Sequence, residues 1–227
     1  MQDKTIHLIQ DVTTVTTIGL GIACLYYGFS SGSPNVAMLL LAFVTLGTAY
    51  DFVSHIVGRG VSEPKGSLEI YARLNFAALC FGIPFTSLAA SFVIGEQYST
   101  GYSALLASYW LEILIASLLF GGLFLVARYK TYVMHGGIEY TLDKTHSYTK
   151  TIFLIRRLLL AVAALLALVA MYEGFVHTSM GWWTLAFSVL FIATIPLHIM
   201  HRPIASMLAE AATLWVLFYG TLRSFYM

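Results

Sequence analysis

Seven apolar stretches, each about the 20 residues that a helix needs to cross a hydrocarbon layer of roughly 30 Å, divide this chain almost from end to end. They run over 8–29, 36–57, 69–94, 104–127, 153–175, 181–200 and 204–225. No period-two alternation of a β-barrel competes with them, so the reading is helices whose backbone bonds are all internal. Composition agrees, because 59% hydrophobic and 10% charged residues leave too few polar side chains to cover a water-soluble globule of 227 residues. The expectation is an all-α, polytopic membrane protein with seven transmembrane helices, a single membrane domain over 1–227 in contact with a lipid bilayer. A net charge of +1 provides no basic surface for nucleic acid.

Orientation follows from the basic residues. Of the twelve lysines and arginines, only Arg223 falls on one side of this plan, and all the others, from Lys4 to Arg202, fall on the opposite side. The positive-inside rule then places the N-terminus in the cytoplasm and the C-terminus outside, as in a bacterial inner membrane. The leader MQDKTIH balances one lysine with one aspartate and makes a poor signal peptide, so the first stretch is kept as a helix. Cys24 and Cys80 both fall inside spans, where a soft hydrophobe is expected rather than a disulfide.

The chain also resembles itself. The first helix ends in YYGF, Tyr26 to Phe29, and the fifth in YEGF, Tyr172 to Phe175. The second helix carries LAF at Leu41 to Phe43 and closes with HIVGR at His55 to Arg59. The sixth carries LAF at Leu185 to Phe187 and closes with HIMHR at His198 to Arg202. Weaker matches join LCFG at Leu79 to LFYG at Leu217, and Glu69 to Glu210. The islands keep their order at nearly constant spacing. They suggest a three-helix unit over 8–94, a linker helix over 104–127 and a second unit over 153–227, giving a parallel 3+1+3 repeat. Parallel repeats recur in transporters, with the binding site near the interface between the units.

Polar groups at depth are the next signal, since a charge in hydrocarbon normally faces the protein interior or water. Glu112 lies eight residues into the fourth stretch, about 12 Å at 1.5 Å per residue, and is the expected protonatable group near mid-depth. Asp51 and His55 share one face of the second helix through their four-residue spacing. His198 and His201 share one face of the sixth, Glu210 lies about one and a half turns into the seventh, and Asn75 and Arg73 sit near the start of the third. If the units pack about a common axis, His55 and His198 occupy matching places. Arg73 is a possible partner for Asp51 or Glu69.

Three readings compete for this group. The residues can be interfacial anchors. They can line a proton relay or solute pathway formed by Glu112, Asp51, His55, His198, Glu210 and Asn75. They can also hold a metal through His55, His198, His201 and Asp51, as zinc or iron, or a haem b between two facing histidines. A retinal protein is excluded because no lysine lies within a span, and a paired-aspartate protease because only Asp51 lies at depth. No phosphate loop or nucleophile elbow is present. The stretch 128–152 reads as a tyrosine- and lysine-bearing connector at the headgroups.

The functional expectation is a transporter or channel for a small solute, in a proton-coupled form. The alternatives are a metal- or haem-dependent membrane enzyme using the same residues, and a non-catalytic membrane subunit with a protein partner.

Overall fold

The computed structural model describes residues 2–30, 32–59, 61, 66–125, 129–134, 137–142, 147–199 and 203–226. Among them lie the helices α1 (Gln2–Ser30), α2 (Val36–Val57), α3 (Ser67–Gln97), α4 (Tyr102–Ser108), α5 (Trp110–Leu125), α6 (Ser147–His177), α7 (Gly181–Ile199) and α8 (Pro203–Tyr226). Between α5 and α6, strands β1 (Tyr129–Met134) and β2 (Gly137–Leu142) form an antiparallel hairpin, with Tyr129 opposite Leu142 and Met134 opposite Gly137. Apart from this hairpin the described architecture is helical. Six of the apolar stretches correspond to one helix each.

The fourth does not. Its axis turns by 64° between Tyr102–Ser108 and Trp110–Leu119, with Tyr109 at the break. The stretch read as a connector likewise gains the hairpin, whose tyrosines, threonines, valine and isoleucine suit a strand, and β2 lies against α2 and α3.

By length and composition, Lys4–Ser30, Val36–Val57 and Ile204–Tyr226 are long and apolar enough to cross a membrane, and the bent pair adds a fourth if it is one broken span. The outward surface is itself apolar. Val15, Leu119 and Trp182, the last 86% exposed, would be a liability in water and are compatible with embedding in lipid.

Local chemistry explains the helices and their seams. The side chain of Asn35 caps α2 by accepting from the Met38 N–H at 3.0 Å. In α1 the threonine run bonds back to its own helix, Thr14 Oγ1 to the Gln10 carbonyl and Thr17 Oγ1 to the Thr13 carbonyl, both at 2.7 Å. That satisfies the hydroxyls without a polar path. Gly21 and Gly28 let α2 approach closely, for a Cβ at Gly28 would stand 2.6 Å from Leu39 Cδ2. Gly174 does the same between α6 and α7, where a Cβ would stand 2.4 Å from Thr184 Cγ2.

Helix α1 packs on α2, α2 on α3, α6 on α7 and α7 on α8. Across these two triplets α1 meets α8, α3 meets α6, α3 meets α8 and α2 meets α8. Helices α4 and α5 lie outside, on α3, with α4 also touching α6. The main core includes Leu41, Phe85, Phe187 and Leu217, and a smaller cluster of Phe52, Met207 and Ala211 joins α2 to α8. Short connections make neighbouring helices run in opposite directions. The starts of α1, α3, α6 and α8 and the ends of α2 and α7 therefore share one end, called the basic end after the residues it carries.

Not every matched island has a matched environment. Tyr26 and Tyr172 are both exposed, as are Phe29 and Phe175, but Phe43 is 46% exposed whereas Phe187 is fully buried. The difference follows from packing. Helix α2 has neighbours α1, α3 and α8, so its Leu41 is covered, while α7 packs chiefly on α6 and α8 and leaves Leu185 outside.

Candidate functional site

At the basic end, α1 and α2 are joined by a polar staple. Arg59, one residue past the cap of α2, places Nη2 2.8 Å from Asp11 Oδ1, and the same nitrogen donates to the His7 carbonyl and to Gln10 Oε1, each at 3.1 Å. Gln10 is buried, and its Oε1 also lies 3.3 Å from His7 Nδ1. Asp11, placed at the edge of the first span, is the partner that sequence reasoning missed. The signal was the hairpin itself. Two antiparallel helices joined at residues 31–35 bring Asp11 and Arg59 to similar depth.

One to two turns deeper, α2 presents Asp51 and His55. Asp51 lies within electrostatic range of Glu210 of α8 and of Tyr71 of α3. Glu210 Oε1 accepts from Ser206 Oγ at 2.9 Å, one turn away on its own helix. Phe52, Met207 and Ala211 form a buried cluster between the same two helices, and Asp51 and Glu210 are each partly buried. His55 is partly buried, and its Nδ1 has no hydrogen-bond partner. Tyr50 and Tyr71 bind reciprocally: each hydroxyl donates to the other's carbonyl, Tyr50 to Tyr71 at 3.4 Å, and the rings lie 4.3 Å apart. The clasp fixes α3 against α2 beside Asp51.

Of the expected residues, the structure thus brings together Asp51, Glu210 and, one turn along the same helix, His55. Glu112 is not with them. It is exposed in the first turn of α5, directly after the break at Tyr109. The depth estimate assumed a straight helix from residue 104, and the 64° bend removes that assumption. An acidic residue in a first helical turn also complements the helix dipole. His201 lies outside the described residues, and so do the side chains of Asn75, Arg73 and His198, although Asn75 is in α3 and His198 in α7. Among the described residues no three His, Cys, Asp or Glu side chains converge to hold a metal ion.

The opposite end has its own polar contacts, which the sequence did not single out. Glu173 of α6 accepts from the backbone N–H groups of Tyr102 at 2.5 Å and Ser103 at 2.7 Å, at the start of α4. His177 stacks on Tyr98 at 4.5 Å, and Ser179 Oγ donates to Gln97 Oε1 at 3.4 Å. The glutamate in YEGF was readable only as one of a few acids near a span end, because its partners are backbone groups.

No protein-family model and no curated protein sequence matches the chain.

Proposed function

We propose that the chain is a seven-span carrier for a small solute, built from two parallel three-helix units, in which Asp51 and Glu210 form the proton-exchanging element. The units are α1 to α3 and α6 to α8, with α4 and α5 as the linker. The packing supports this plan: α1–α2 and α2–α3 have counterparts in α6–α7 and α7–α8, α1–α8 has its counterpart in α3–α6, and α3–α8 falls where a two-fold axis would pass. The α2–α8 contact, which has no such counterpart of comparable extent, is the one whose helices carry Asp51 and Glu210. In this reading the basic end faces the cytoplasm.

The observation that carries the proposal is that Asp51 of α2 and Glu210 of α8 lie within electrostatic range of each other where Phe52, Met207 and Ala211 join the two helices. Two carboxylates within electrostatic range of each other favour one proton or a cation on the pair over two bare charges. A seam that alternately takes up and releases that proton is a coupling device, and His55 is one turn from it for exchange with the basic end. The test is reconstitution into liposomes containing a pH-sensitive dye, challenged with a panel of sugars, amino acids, nucleosides and small organic ions. Proton movement that depends on one of these solutes is the expected result. Tight vesicles that show no solute movement and no proton movement sink the proposal.

A second reading is favoured by the unpartnered Nδ1 of His55: an enzyme holding zinc, iron or haem b through His55 and groups on α7. Stoichiometric metal or a Soret band in purified protein would select it over the carrier.

A further inference from the structure

The two copies of Tyr-x-Gly-Phe differ at the second position, which is Tyr27 in α1 and Glu173 in α6. At both places that residue reaches across a seam at the end opposite the basic one. Tyr27 meets α8: its carbonyl accepts from the Tyr226 hydroxyl, and its ring stands edge-on to that of Tyr226 at 5.4 Å and 6.1 Å from that of Phe218. Glu173 meets the segment leaving α3, with its two oxygens on the N–H groups of Tyr102 and Ser103. The cap residue of α4, Gly101, has no side chain to satisfy those donors, so the carboxylate of α6 takes the part of a cap. The neighbouring glycines, Gly28 and Gly174, press on the next helix of their own unit. The motif thus divides its labour, with glycine closing a hairpin and the preceding residue closing a seam.

We propose that Tyr27 and Glu173 are paired clamps of a gate at this end, and that the Glu173 arm is the one that releases. The Tyr27 arm combines a hydrogen bond with edge-on and tilted aromatic packing. The Glu173 arm holds a seven-residue helix that already meets α5 at a 64° break, so α4 swings away without dragging a whole span. Behind the two clamps lie Val93 and Ile94 of α3, both buried, with the Val93 carbonyl accepting from Ser224 of α8 at 3.3 Å. The inference rests on the two-unit carrier reading, and its test needs no solute.

The experiment is maleimide labelling, by a membrane-impermeant reagent, of Val93→Cys in full-length protein in liposomes, on a background carrying Cys24→Ala and Cys80→Ala. Labelling is expected to be slow with both clamps intact and roughly tenfold to a hundredfold faster with Glu173→Ala, the scale of losing charge-assisted hydrogen bonds. Tyr226→Phe, which removes one hydroxyl and keeps the ring, should give a smaller rise. Ser54→Cys, buried at the basic end, should stay slow in every variant. Unchanged labelling of Val93→Cys in both clamp variants overturns the gate. An equal rise at Ser54→Cys also overturns it, because the effect is then general loosening. Absence of solute flux alongside a selective rise at Val93→Cys would sink the carrier reading and leave the gate.

Discussion

Asp51 of α2 and Glu210 of α8 lie within electrostatic range of each other on the two helices that Phe52, Met207 and Ala211 join. Folding gains little from such a pair, since like charges repel and both lose hydration. Neutralising either one, as Asp51→Asn or Glu210→Gln, is therefore expected to leave thermal stability in detergent unchanged or raised, within about 0.5 kcal/mol of the parent. A clear loss of stability in both would mark the pair as a structural anchor.

The Arg59 staple should behave in the opposite way. Arg59 binds Asp11, the His7 carbonyl and Gln10 Oε1 together, but its side chain is 25% exposed and that of Asp11 46% exposed. Solvent screening holds the ion pair itself to about 1 kcal/mol or less. A double-mutant cycle of Arg59→Met and Asp11→Asn should give a coupling of that size, falling at high salt, with Arg59→Met the more damaging single change.

Helix α8 offers a packing test. A Cβ at Gly220 would lie 2.1 Å from the Trp183 ring, and that ring is fixed by its Nε1–H donating to the Val216 carbonyl at 2.5 Å. Gly220→Ala should cost about 1–3 kcal/mol, as overpacking does. Gly47→Ala in α2, with nothing within 4 Å of the new methyl, should be neutral or stabilising by up to about 1 kcal/mol. Paired melting curves of the two variants check the contrast.

Glu112 separates surface from site. Exposed at the start of α5, it is expected to tolerate Glu112→Gln with no change in solute-dependent proton movement, while Glu210→Gln abolishes it. Loss in Glu112→Gln with retention in Glu210→Gln would move the coupling group to the linker.

Much of this arrangement was legible because apolar run length sets a helix, and its partners are the neighbours that short loops allow. The ends of α2 were read to the residue, and depth and four-residue spacing put Asp51, His55 and Glu210 among the candidates. What escaped depends on interactions that spacing does not encode. The break at Tyr109 interrupts a stretch whose composition is apolar on both sides. The hairpin depends on pairing between β1 and β2, whose tyrosines and lysine also suit a connector at the headgroups. Glu173 binds backbone groups, which carry no sequence signature. Arg59 was one basic residue among many until the α1–α2 hairpin set it opposite Asp11.

The most direct measurement is infrared difference spectroscopy of the reconstituted protein across the neutral pH range, comparing the parent with Asp51→Asn and Glu210→Gln. The account predicts a protonated-carboxyl band in the parent that is lost or shifted in both variants. A parent with no such band, or a band that both substitutions leave untouched, would contradict it.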